Sequence, residues 1–264
     1  MNKWILILSV GIILPFKCFA DDNLPTSGSC AAAGEGNTCH WEYNADTHTL
    51  AITGSGKMAA YAINGKAPKA GGVNTAPWAS YGADIYNITV EDGITNIGAG
   101  AFAYTAAQNV SLPQSITSVD GGAFYWTKGL QQVDLPENLK TIGADAFKYS
   151  NLIQIDIPAT VTYIGSTAFA IMTLQEMTLP ADLVTNRNNL FWDKGAEHPQ
   201  NGFKVYCKGD VQKCQNIVHC KASDGQPCPF SSIVQVYRNN RRIYTIDEAN
   251  QDAGKINRFS IRYR

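Results

Sequence analysis

Between positions 83 and 191 apolar and polar residues follow a pattern that returns every 22 or 23 residues. Each copy opens on an alternating stretch: Ile88-Thr-Val90, Val110-Ser-Leu112-Pro113, Val133-Asp-Leu135-Pro136, Ile155-Asp-Ile157-Pro158 and Met177-Thr-Leu179-Pro180. Period-two alternation predicts a strand with one face buried. A second apolar stretch follows at residues 94–97, 116–119, 139–142 and 161–164, with apolar residues three apart, and predicts another wall of the same coil. An Ala-Phe or Leu-Phe pair then places Phe102, Phe124, Phe147, Phe169 and Phe191 each 11 residues after its proline, or after Glu91 in the first copy. Proline fixes φ and donates no ladder hydrogen bond, so its recurrence marks a corner. A unit this short cannot bury its apolar face alone, and the pattern therefore predicts a mainly β solenoid of about five stacked units.

The polar members of the alternation form two outward columns. One is Thr89, Ser111, Asp134, Asp156 and Thr178; the other, two residues earlier, is Asn87, Asn109, Gln132, Gln154 and Glu176. A rigid wall lined by such side chains points to ligand contact spread over a surface. The phenylalanines and the Ala107, Leu130, Leu152 and Leu174 positions are core. One extra residue falls between Phe124 and Leu130, where residues 125–129 are expected to bulge outward, because insertions in solenoids go to loops.

The flanks do not repeat. His40-Trp-Glu-Tyr43 and Thr49-Leu-Ala-Ile-Thr53, with Asn44-Ala-Asp46 between them, predict a hairpin that covers the open end of the first coil. Residues 62–75, rich in Ala, Gly, Lys and Asn, read as a surface loop. Beyond Leu183 the pattern decays, and the solenoid is expected to end near residue 192. In the C-terminal part, Phe203-Lys-Val-Tyr-Cys207 and Ser232-Ile-Val-Gln-Val-Tyr237 read as strands, the latter turned back at Asn239-Asn240. Thr245-Ile-Asp-Glu248 has capping-box spacing. The expected organisation is a signal peptide at 1–20, an N-terminal β cap at 21–82, repeats at 83–192 and a small Cys-containing α+β module at 193–264.

The export signal is Lys3, an apolar run from Trp4 to Phe16, and Cys18-Phe19-Ala20 before Asp21. That run is shorter than the roughly 20 residues a membrane-spanning helix needs, so cleavage after Ala20 is expected, with no transmembrane segment left behind. The sequence implies a secreted, periplasmic or cell-surface protein. Six cysteines then remain: Cys30, Cys39, Cys207, Cys214, Cys220 and Cys228. An even number in an exported chain favours disulfides. Proximity favours Cys30–Cys39 and two bridges among the last four; their connectivity stays open. No Cys-x-x-Cys pair organises zinc, and none of His40, His48, His198 and His219 forms a metal-spaced pair, so neither metal nor cofactor is expected.

Charge narrows the partners. The formal net charge is −1, which argues against a nucleic-acid surface. Residues 238–264 carry seven basic and three acidic side chains, a solvated terminal feature or an attachment to an anionic envelope. Asp134 and Asp156 sit at equivalent positions of adjacent copies, about 5 Å apart if their strands pair. A carboxylate pair at that distance suits a retaining glycosidase, but it would stand on an open wall without a pocket, and an enzyme is not expected.

The repeats resemble the BspA-like, Treponema-type leucine-rich repeats, whose units read roughly Leu-x-x-Ile-x-Ile-Pro-x-x-Val-x-x-Ile-Gly-x-x-Ala-Phe. Leu152-Ile-Gln-Ile-Asp-Ile-Pro158, Val161-Thr-Tyr-Ile-Gly165 and Ala168-Phe169 follow that pattern closely. Ser29-Cys30, the Trp41 strand, residues 50–58 and Ala76-Pro-Trp78 resemble the family's N-terminal module. Two departures stand out. Thr105, Thr127, Ser150 and Met172 occupy the position that often carries Cys or Asn, and Glu91 replaces the first proline. The resemblance implies a short leucine-rich-repeat solenoid in an extracellular or surface protein of bacteria. It further implies adhesion, with an extracellular protein or glycan as ligand. A periplasmic or envelope scaffold for partners of the same cell is the alternative.

Overall fold

The structure, a computed structural model, describes residues 24–34, 36–66, 71–185, 190–191, 203–208, 235–238 and 241–245. The expected signal peptide, Cys214, Cys220, Cys228, the capping box beyond Thr245 and the rest of the basic tail from residue 246 lie outside the described residues.

The chain winds into stacked coils with two parallel walls. The front wall begins with an antiparallel cap, β1 (Ser27–Ser29), β2 (His40–Asn44) and β3 (Thr49–Thr53). It continues in parallel register through β4 (Asn87–Val90) and, 22 residues on, β6 (Asn109–Ser111). The back wall is β5 (Asn96–Ile97), β7 (Ser118–Val119), β8 (Thr141–Ile142), β10 (Tyr163–Ile164) and β12 (Val184–Thr185), an unbroken parallel ladder. A second front sheet carries β9 (Gln154–Asp156), β11 (Glu176–Leu179), β13 (Lys204–Cys207), β14 (Gln235–Arg238) and β15 (Arg241–Thr245). The mainly β solenoid read from the repeat is thus the fold, and the predicted hairpin is its cap.

Each corner follows from its residue. The carbonyls of Pro113, Pro136 and Pro158 accept the N–H groups of Ile116, Leu139 and Val161, closing the turn between front and back walls. In the first copy the Glu91 carbonyl does the same for Ile94, and its carboxylate accepts the Gly54 N–H at 3.0 Å. Glutamate therefore replaces proline where the coil must also be tied to the cap.

Between the walls runs an aromatic column. Trp78, Phe102, Phe124, Phe147 and Phe169 are fully buried, with successive ring centroids 6.1, 5.4, 5.2 and 5.5 Å apart. The apolar residues of the back wall, from Ile94 and Ile97 to Val161 and Ile164, are equally buried. Two of the polar groups inside the coil are satisfied by the chain itself: Thr105 and Thr127 both donate to the Phe102 carbonyl, at 2.9 and 3.0 Å. They fill the position where the resembling family often has Cys or Asn.

Three expectations change. Residues 62–66 and 71–75 are not simply a surface loop but continue from Tyr61 as a strap across the first coils. The Tyr61 N–H bonds the Ala99 carbonyl, Asn74 Nδ2 donates to the carbonyls of Gly100 and Ala103, and the Tyr125 hydroxyl donates to Gly65. Gly98 permits this approach, because a Cβ there would lie 1.9 Å from the Ala59 carbonyl oxygen. Nor do residues 125–129 bulge outward. Tyr125 and Thr127 are buried, and Gly129 presses on the preceding coil, where a Cβ would come within 2.3 Å of the Ala106 carbonyl. The strain of the extra residue appears instead on the front wall, described below. Finally, the front ladder runs past residue 192: β13 pairs with β11 from Glu176↔Lys204 to Leu179↔Cys207, and β14 pairs with β13. Phe203, Val205 and Cys207 point inward and are buried, so the alternation of this segment is that of one more coil.

The Cys30–Cys39 disulfide is formed, as proximity implied, and pins β1 to β2 at the cap. Cys207 is also disulfide-bonded.

Candidate functional site

Alternation within each front strand fixes which side chains face out. Ile88, Ile155 and Met177 point inward and are buried, which turns the residues on either side of each toward solvent. All ten residues of the two predicted columns therefore stand on one outward face. Asn87, Glu176 and Thr178 are half-buried, and Thr89, Asn109, Ser111, Gln132, Asp134, Gln154 and Asp156 are exposed.

Neighbouring coils link these side chains. Asn109 Nδ2 donates to Asn87 Oδ1 at 2.9 Å, and Asn87 Nδ2 donates to the Thr47 carbonyl at 3.0 Å. At the other end the Thr178 hydroxyl donates to Asp156 Oδ1 at 2.6 Å, and Lys204 Nζ meets Glu176 Oε1 at 2.8 Å. Both ends of the face are thus held in fixed geometry. Lys204 extends the column by one coil; the alternation Phe203-Lys-Val-Tyr-Cys207 carries that signal in the sequence.

The middle is different. Residues 131–136 form no strand, and the front ladder is interrupted between β6 and β9 while the back wall behind it stays paired. The interruption follows directly on the one corner with an extra residue. Its effect shows in burial: Val110 and Leu112 are only partly buried, and Val133 and Leu135 are 8% and 9% exposed against 3% and 0% for Ile155 and Ile157. A depression of about 630 Å³ opens on one side, lined by residues including Gln108, Asn109, Lys128, Gln132 and Asp134. Another of about 470 Å³ opens on the other, lined by residues including Asp134, Glu137, Gln154, Asp156 and Lys208. Asp134 and Asp156 are therefore not partners in a paired ladder, although their equivalent positions suggested that they would be; both line the second depression. The sequence signalled the extra residue but not where its strain would be released.

A second cluster of aromatic residues lines the corners after the first three Ala-Phe pairs. Tyr104 and Tyr125, Tyr125 and Tyr149, and Trp126 and Tyr149 make edge contacts at 5.6, 5.4 and 4.9 Å. Lys128 lies 5.0 Å from the Trp126 ring and Lys148 5.1 Å from that of Tyr149. Tyr104, Trp126 and Tyr149 share a left-handed backbone, φ 65°, 58° and 63°, so this is a repeated corner geometry. Burial pushes the hydroxyl of Tyr104 up from its ordinary range, against a hydrogen bond with the Gly65 backbone, and that of Tyr61 up to about 12. Among the described residues no cluster of three His, Cys, Asp or Glu side chains is placed to hold a metal ion. Among them, too, no helix is long and apolar enough to cross a membrane.

Comparison with known proteins places this architecture. A family model described as a BspA type leucine rich repeat region matches residues 79–196 in six copies, one more than the five read from the spacing. Among solved structures, a leucine-rich repeat protein from Eubacterium ventriosum is 18% identical, over 75% of this chain and 65% of that one, with a TM-score of 0.44. The leucine-rich repeat protein of T. pallidum is 19% identical over 67% of this chain and 85% of that one, with a TM-score of 0.40. A leucine rich cell surface protein from Faecalibacterium prausnitzii is 18% identical over 76% of this chain and 60% of that one, TM-score 0.40. The chain thus spans less than two thirds of the length of the first and last of these. No curated protein matches it. Residues 79–196 of this chain thus match a BspA type leucine rich repeat region.

Proposed function

We propose that the chain is an exported, non-enzymatic adhesion protein that presents the front wall of its repeats to an extracellular protein or glycan. The observation that carries this reading is the wall itself: ten polar side chains aligned on one face of a wall whose inward residues are buried or partly buried in the core. Such a face is preformed, so binding orders little backbone, and the cost of association falls accordingly. Its polar groups are spread over several coils, which suits contact with a macromolecule better than conversion of a small substrate. Export is supported by the N-terminal sequence and by the Cys30–Cys39 disulfide, a bond that persists in oxidising compartments.

The test is topological. Intact producing cells are treated with protease or a membrane-impermeant label, and the N-terminus of the recovered protein is sequenced. The account expects a chain that begins at Asp21 and is released or cut from outside. Protection in intact cells, with labelling only after the envelope is opened, would leave the scaffold for the cell's own partners as the better reading.

A further inference from the structure

We infer that the wedge between residues 132–135 and β9 is a docking site for an extended polypeptide segment of another protein, one that carries a basic side chain. This deepens the proposed binding function, on which it rests, by assigning the class of ligand and the way it is held.

The argument begins with backbone hydrogen bonds. Buried or not, every strand of a sheet offers N–H and C=O groups along both edges, and an unpaired edge is a template for another strand. On the front wall the edges of β3, β4, β11 and β13 are paired on both sides. Residues 132–135 are joined by no backbone hydrogen bond to either flanking coil; the nearest link is the Ile153 N–H to the Gln131 carbonyl at 3.0 Å. On the facing edge, the Ile157 N–H is spent on the Thr178 carbonyl of the next coil. Successive N–H groups of a strand point to opposite edges, so the N–H of Asp156 is turned into the wedge. Both sides of the wedge thus present main-chain groups, those of β9 in strand geometry, and the wedge is closed at the Gln131 end and open toward Pro158 and Ala159, which line it.

Charge selects the occupant. The wedge is lined by the carboxylates of Asp134, Glu137 and Asp156 against one ammonium, that of Lys208, with Gln132 and Gln154 supplying amides. A strand laid here gains main-chain hydrogen bonds from the two edges, the means by which added strands bind sheets. A Lys or Arg on that strand would lie among the three carboxylates. A neutral glycan would meet the same carboxylates without a charge to offset them.

The probe is an array of short alternating Thr/Val peptides with lysine placed at each position in turn, titrated against the full chain. Controls replace lysine by glutamate, or N-methylate alternate amides. Saturable binding of at least one lysine peptide is expected. Affinity should fall about tenfold or more on N-methylation, on the glutamate exchange and in Asp156→Asn, which keeps the oxygen that Thr178 bonds. Hydrogen exchange should slow at residues 133–135 and 156 when the peptide is bound. Equal binding by the N-methylated peptide, or no slowing at those amides, overturns the strand-docking inference but leaves the binding face standing. No binding by any member of the array also overturns it; if matrix proteins, glycans and cells then fail to bind as well, the proposed function falls with it.

Discussion

The rings of Phe124 and Phe147 lie parallel, centroids 5.2 Å apart and planes 4° apart, although 23 residues separate them where 22 separate the neighbouring pairs. The core thus keeps its spacing across the extra residue, and the mismatch is released on the front wall, where residues 131–136 leave the ladder. Core rings are close-packed and resist displacement, whereas an exposed strand edge replaces lost ladder bonds with water.

Phe147, stacked between Phe124 and Phe169, should then be a keystone. Phe147→Ala is expected to cost about 3–5 kcal/mol in urea unfolding, through lost burial and the cavity left behind. A loss under about 1 kcal/mol would mean that the column can collapse around the gap.

The buried hydroxyls differ from coil to coil. Thr127 donates to the Phe102 carbonyl, while the Ser150 hydroxyl is buried without a partner. Thr127→Val should therefore destabilise by about 1–2 kcal/mol, and Ser150→Ala should be neutral or mildly stabilising. Thermal unfolding of the two variants side by side checks this, and an equal loss in both would count against it.

The solenoid was legible in the sequence because its signal is redundant: alternation, prolines and phenylalanines each mark the same coil. The outward columns were legible for the same reason, since period-two alternation fixes the face of every side chain once one is known to be buried. What escaped was relational. Residues 62–75 look featureless because the strap is held largely by backbone carbonyls and by close approach to glycines on the coils beneath, with Ile63, set against Gly100 and Gly122, as an isolated apolar contact. The break beside Asp134 depends on where strain is cheapest to release, which no local pattern records. The coil at β13 was hidden because the segment before it lacks the Ala-Phe rhythm, although Phe203, Val205 and Cys207 alternate as the others do.

Gly98 offers a test of the strap. In Gly98→Ala the new methyl would collide with the Ala59 carbonyl, so the strap must lift from the first coil. The expected cost is about 1–3 kcal/mol, with faster proteolytic cutting within residues 59–75 while the central coils stay resistant. Unchanged cutting there would show that the close approach does not hold the strap.

Alkaline stability should report on Tyr61. Burial raises its hydroxyl from the ordinary 10.0 to about 12, so the folded protein keeps the proton longer than the unfolded chain. The sign follows: this contribution is intact below pH 10 and is lost as pH rises from about 10 toward 12, where only the unfolded state ionises. Its hydroxyl is buried without a partner, so Tyr61→Phe should leave stability at neutral pH unchanged or slightly higher and flatten the alkaline decline. Equally steep declines in both proteins would remove Tyr61 as the cause.

The central claim is that the front wall binds. Its most direct test is a titration of the mature chain against a panel of matrix proteins, glycans and intact cells, with an Asp134→Ala, Asp156→Ala double variant alongside. The account predicts saturable binding to at least one panel member, lost in a variant whose circular dichroism and melting temperature are unchanged. Full binding by the folded variant, or no binding to any member of the panel, would contradict it.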